Sequence, residues 1–144
     1  MNRYLTILSI LLILASCSAD PRPIAYGQEG CYHCKMTLMD PKFGAELVTE
    51  KGKVYVFDDV NCMLMYMDSE EGESQSFKHV LVTDYLNSGT LLDANVAYYL
   101  KSPEFRTPMA SEIVAFGDYK ILQEHKKNSG GIFLAWGELT TQFK

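Results

Sequence analysis

The order strand, strand, helix, strand is legible twice along these 144 residues, and that repetition constrains the fold more than any other feature. In the first half, apolar alternation predicts a strand at about Ala45–Glu50, a tight turn at Lys51-Gly52 and a strand at Lys53–Phe57, together a β-hairpin. Asp58 or Asp59 then caps a helix over about Val60–Asp68, where Met63, Leu64 and Met67 recur at helical spacing before the polar break Ser69–Ser76. A strand at Lys78–Thr83 follows. In the second half, Asn95–Leu100 and Ser111–Phe116 read as strands, Asp118 caps a helix through Lys126, and Gly130-Gly131 leads into a strand at Ile132–Trp136. The segment Val54–Asp59 corresponds loosely to Glu112–Asp118. The expected fold class is therefore α+β: two ββαβ-type units packed pseudo-symmetrically, the first over residues 27–88 and the second over residues 89–144.

What precedes these units reads as an address. Residues 1–16 carry one charge, Arg3, and the apolar run Ile10–Leu14, the pattern of a secretory signal too short to span a bilayer as a stable helix. The run ends in Leu14-Ala15-Ser16-Cys17, which resembles the lipobox of bacterial lipoproteins, so Cys17 is expected to be lipidated. Residues 17–26, with Pro21 and Pro23, are expected to tether the fold to a membrane on the periplasmic side of the cell envelope. Three cysteines remain in the mature chain. An odd number in an oxidising compartment cannot all pair internally, so at least one thiol is free, reactive or metal-bound. A net charge of −5 with no basic stripe opposes phosphate attraction and excludes nucleic acid as a partner.

The segment Cys31-Tyr32-His33-Cys34-Lys35-Met36 gathers two thiols and a thioether just ahead of the first strand. A C-x-x-C pair serves zinc, redox exchange or soft metals alike. Met36 shifts the balance toward Cu(I), which accepts thioether sulfur that zinc sites do not use. His33 either ligates a metal or, when protonated, lowers the thiol pKa values. Cys62 is either a third thiolate folded toward the pair or a small buried hydrophobe. Met39, Met63 and Met67 read as flexible core fillers. His79 and His125 have no partner at ligand spacing. At Thr107-Pro108-Met109-Ala110 a methionine sits beside a proline in a loop. It either completes a site built elsewhere or is ordinary apolar surface.

Taken in order, Cys31-x-x-Cys34-x-Met36, Phe57-Asp58-Asp59, Val82-Thr83-Asp84-Tyr85, Leu92-Asp93-Ala94, Thr107-Pro108-Met109, Ala115-Phe116-Gly117, and Gly130-Gly131 before Trp136 resemble the NosL family, lipoproteins implicated as copper chaperones for nitrous oxide reductase. The resemblance implies paired ββαβ units related to the organomercurial lyase scaffold. It implies a non-enzymatic chain that binds Cu(I) through Cys31, Cys34, Met36 and Met109, with His33 or Cys62 as possible further ligands. The implied partner is apo nitrous oxide reductase, or an accessory protein assembling its copper-sulfide centre. Lys35 stands where the family motif commonly has Gly, and Cys62 is an additional thiol. Because thiol protons must leave, copper affinity is expected to fall at acidic pH.

Other classes make different demands. A zinc knuckle or TRASH-like metal-binding module would use Cys31, Cys34 and Cys62. An organomercurial-lyase-like enzyme needs two thiolates and a carboxylic acid placed to protonate the leaving carbon, which the short Cys31/Cys34 spacing and the methionines fit less well. A thioredoxin-like oxidoreductase opens a helix with its C-x-x-C, which Lys35–Pro41 does not resemble.

Overall fold

The computed structural model describes residues 18–142; the expected signal peptide and the lipidation site Cys17 lie outside the described residues. Strands β1 (Ala45–Thr49) and β2 (Val54–Phe57) form the expected hairpin, with Ala45 opposite Phe57 and Val48 opposite Val54. Helix α1 (Val60–Met67) follows, then a single-turn helix α2 (Glu70–Glu73) and strand β3 (Phe77–Thr83). After β4 (Leu91–Asp93), the second unit runs β5 (Tyr98–Lys101), β6 (Ile113–Phe116), α3 (Tyr119–Ser129), β7 (Ile132–Leu134) and α4 (Trp136–Gln142). The antiparallel sheets have the orders β2-β1-β3-β4 and β6-β5-β7. In each unit the first strand is central, flanked by its hairpin partner and by the strand that returns after the helix.

The larger of two buried clusters serves both units. Leu47, Phe57 and Met63 from the first pack in the same buried cluster as Tyr99, Ile113 and Leu139 from the second. The backbone joins them too: the turn between β3 and β4 leaves the first sheet to complete the frame of the second unit, where Asp84 bridges to Ala115 in parallel sense and Tyr85 N donates to Ala115 O at 2.9 Å. No helix among the described residues is long and apolar enough to cross a membrane.

Several boundaries differ from the sequence expectation, each for a local reason. The first sheet extends beyond residue 88, because β4 pairs with β3, Leu92 opposite Val82. The polar break contains α2, whose N-cap Ser69 accepts from Gly72 N at 3.1 Å. Strand β5 starts at Tyr98 rather than Asn95 because Asp93 folds the chain into a turn, accepting from Asn95 N at 2.8 Å. Strand β7 stops at Leu134, where Glu138 reaches back to accept from Ala135 N at 2.7 Å and starts α4. The chain is held against the fold from Arg22 onward, inside the expected tether. Arg22 N donates to the buried Glu46 at 3.1 Å, its guanidinium pairs with Glu29, and Ile24 joins the core. Met63 is fully buried as expected, but Met39 is 71% exposed and fills no core space.

Candidate metal centre

The Cys31–Met36 segment folds into a closed loop because its ends pair, Gly30 bridging to Thr37. Inside it, Cys31 N donates to Met36 O at 2.7 Å and Lys35 N to Cys31 O at 2.9 Å. Tyr32 anchors the loop to β2. Its N–H donates to Val56 O at 2.8 Å, and its ring packs edge-on against Tyr55 and Tyr66 at centroid distances of 4.6 and 5.2 Å.

This places the C-x-x-C pair beside the junction of β2 and α1. Cys31, Cys34, Asp58 and Cys62 each present one donor atom, all within 4.8 Å of one another. The thiols are free. Cys31, Asp58 and Cys62 are buried, whereas Cys34 is half-exposed. The adjacent aspartates divide the work: Asp59 caps α1, accepting from Asn61 N at 2.9 Å, and Asp58 joins the thiols. Asp58 Oδ2 accepts from Cys34 Sγ at 3.4 Å, and its Oδ1 is buried with no hydrogen-bond partner. An unsatisfied buried acceptor costs about 1–3 kcal/mol. A cation held among the four donors would remove that cost.

The thiols differ in acidity. Cys31 is lowered to about 6, chiefly because Cys62 donates a hydrogen bond to it, with further help from the backbone amides of Cys34 and Asp58 against the opposing effect of burial. Burial pushes Cys34 up to about 11, and the neighbouring Cys31 and Asp58 add to the shift. Cys62 is raised because its proton is engaged with Cys31 and burial disfavours the thiolate. The three thiols are therefore unequal, Cys31 shifted toward the thiolate and Cys34 and Cys62 toward the protonated form.

The structure thus brings Cys31 and Cys34 together, with the buried Cys62 folded toward the pair. His33 does not join the donor set. Met36 closes the loop through its carbonyl and is 47% exposed. Met109 is half-buried against the main core, and its N–H donates to Asp59 Oδ2 at 3.1 Å, which seats its loop at the start of the helix carrying Cys62. Among the described residues, the non-glycine residues with left-handed backbone are Lys35 (φ 66°), Ala110 (φ 53°) and Glu112 (φ 60°). Such strain persists only where the surroundings enforce it and gathers at functional sites. Here it sits beside both Met36 and Met109. Asp58 was missed as a site residue because two adjacent aspartates before a helix both look like caps, and only the fold separates their roles.

Fold and site together define a class: a small α+β protein of two fused ββαβ units with a sulfur-rich candidate metal centre on the first. The chain belongs to the NosL family, whose profile matches residues 23–143. Its fold is also that of the copper chaperone NosL from Shewanella denitrificans, known from a crystal structure. The two superpose with a TM-score of 0.70 at 18% identity, over 87% of this chain and 98% of that one. No curated protein matches the chain.

Proposed function

We propose that the chain is a copper chaperone of the cell envelope, anchored through a lipid on Cys17, that carries Cu(I) to apo nitrous oxide reductase or to a protein assembling its copper-sulfide centre. The observation that carries this is the graded exposure of the sulfurs. Cys31 and Cys62 are buried, Cys34 is half-exposed and Met36 is exposed. A soft ion held from below by thiolates keeps an open edge, where an acceptor sulfur can attack and displace one ligand at a time. Cu(I) suits such a site because it takes thiolate and thioether donors at low coordination number. Cys31 is the thiolate available for first capture at neutral pH. The proton that Cys34 must shed already points at Asp58 Oδ2, so the carboxylate is placed to receive it as copper binds.

A second reading is favoured by Asp58 itself. Three cysteines and a carboxylate are a donor set that Zn²⁺ accepts in a closed tetrahedron. Anaerobic titration of the full chain in detergent against a Cu(I) chelator, repeated with excess Zn²⁺, separates the two. Copper carriage predicts tight Cu(I) binding that zinc does not displace and transfer of the ion to apo nitrous oxide reductase. Retained zinc that Cu(I) cannot replace establishes the structural zinc site instead.

A further inference from the structure

Asp59 makes more hydrogen bonds than a helix cap requires. It is 1% exposed, and its Oδ1 accepts both from Asn61 N, at 2.9 Å, and from Ser111 Oγ, at 2.7 Å. Its Oδ2 accepts from Met109 N at 3.1 Å. One carboxylate therefore grips the first turn of α1, which carries Cys62, and the loop of the other unit, which carries Met109. That loop is internally braced. Thr107 Oγ1 lies 3.1 Å from Ser111 Oγ and accepts from Glu112 N at 3.1 Å. The bracing holds Ala110 and Glu112 in left-handed backbone, a conformation that costs a non-glycine residue about 1–2 kcal/mol.

The second unit provides an internal control. Asp118 caps α3 in the same way, accepting from Lys120 N at 2.7 Å and Ile121 N at 3.3 Å, but it is exposed and grips no distant loop. Capping alone explains Asp118. It does not explain the burial of Asp59 or its bonds to Met109 and Ser111.

We infer that Asp59 is a positioning residue for the metal centre: its carboxylate fixes the Met109 loop against the helix of Cys62, so that the thioether meets the thiol cluster at a set place. This rests on the reading of Met109 as a copper ligand. Asp59→Asn is the discriminating change. Asparagine caps a helix as well as aspartate, so Oδ1 continues to serve Asn61 and Ser111. The amide nitrogen then faces the Met109 N–H, donor against donor, and the tether to Met109 alone is lost.

The test uses the full chain in detergent, with Cu(I) as the probe, for Asp59→Asn, Met109→Leu, the double variant and Asp118→Asn. Chelator competition gives affinity, X-ray absorption at the copper edge reports thioether scattering, and thermal melts report the fold. Asp59→Asn is expected to lower Cu(I) affinity about tenfold, the scale of one hydrogen bond to a charged group. Met109→Leu should lower it at least as far, and the double variant no further than Met109→Leu. Thioether scattering should weaken in Asp59→Asn, and Asp118→Asn should leave affinity unchanged. If Met109→Leu weakens binding while folded Asp59→Asn binds as the parent does, or if the two losses add, the positioning role is overturned. If Met109→Leu binds like the parent, the ligand reading fails and the inference falls with it. Should Asp59→Asn not fold, Ser111→Ala removes the other arm of the grip. It should show a smaller loss that vanishes in the Met109→Leu background, and a loss persisting there overturns the inference.

Discussion

The two units share a backbone frame down to single hydrogen bonds and differ almost entirely in what hangs on it. In the first, Tyr32 N donates to Val56 O at 2.8 Å; in the second, Tyr85 N donates to Ala115 O at 2.9 Å, at the same position of the hairpin. The turn before β1 closes by Cys31 N to Met36 O at 2.7 Å, and the turn before β4 closes by Asp84 N to Thr90 O at 2.8 Å. Each tyrosine packs on the helix of its own unit: Tyr32 against Tyr66 on α1 at 5.2 Å, and Tyr85 against His125 on α3 at 6.1 Å. On this frame the places of Cys31, Cys34, Asp58 and Cys62 are taken by Asp84, Asn87, Gly117 and Ile121. Asp84 spends its oxygens locally, accepting from Leu86 N at 3.1 Å and Asn87 Nδ2 at 2.8 Å, whereas Asp58 keeps a buried oxygen unpartnered. The anchored turn is thus a property of the scaffold. The donor set that could hold a metal is written onto one copy, by sulfur and by one carboxylate left unsatisfied.

The largest expected effect comes from removing that sulfur. Cys31→Ser and Cys34→Ser should each lower Cu(I) affinity by more than the roughly 10–100-fold that loss of an outer partner costs a metal site. Asp84→Ala and Asn87→Ala, at the matching places in the second unit, should leave affinity and stoichiometry unchanged. Chelator competition on the four variants checks both halves of the statement. A lost equivalent of copper in Asp84→Ala would mean that both turns are metal sites, and the contrast drawn above would collapse.

A middle-sized effect lies in pH. The folded value of Cys31, about 6, is below the roughly 8.5 of a free thiol, so its contribution to stability is complete above the unfolded value and lost as pH falls through about 6. Cys34 and Cys62 are raised, and their sign is opposite: above about 8.5 the unfolded chain ionises while the folded one holds its protons, so stability falls as pH climbs. Thermal melts of the metal-free protein should therefore rise from pH 6 to about 8 and decline beyond about 9. Cys31→Ser should flatten the rising limb. Copper affinity should climb across the same range, since Cys34 must release its proton to bind. A rising limb unaltered in Cys31→Ser would assign it to groups outside the thiol cluster.

The same contrast explains what was legible in the sequence. Local periodicity and caps carry their own signature, so the hairpin β1-β2, the helices capped by Asp59 and Asp118, and the duplicated order could be read from residues alone. The match between the turns at Cys31 and Asp84 could not, because backbone hydrogen bonds hold both and only one shows distinctive side chains. Strand β4 is three residues long and exists by pairing with β3, so no periodicity announces it. In the site, Cys31 and Cys34 declared themselves by spacing. Cys62, Asp58 and Met109 come from different elements, and tertiary packing alone decides which of them meet.

The smallest expected effect concerns how the two turns take their sharpest bend. The second uses a glycine, Gly89 at φ 80°, whereas the first uses Lys35 at φ 66°. Copying the glycine into the first turn, Lys35→Gly, relieves about 1–2 kcal/mol of left-handed strain. Against this stand the greater freedom of glycine in the unfolded chain, about 0.5–1 kcal/mol, and the loss of the Lys35 ammonium from the Tyr32 ring. That ammonium lies 4.4 Å from the ring centroid and also donates to Tyr32 O. An exposed cation–π contact is worth about 0.5–1 kcal/mol. The opposing effects nearly cancel, so the melting temperature should move by less than about 3 °C. Copper affinity should hold, because Lys35 contributes no donor atom. A fall well beyond that range would show that Lys35 clamps the turn through Tyr32, and that the first turn depends on a side-chain contact where the second depends on glycine.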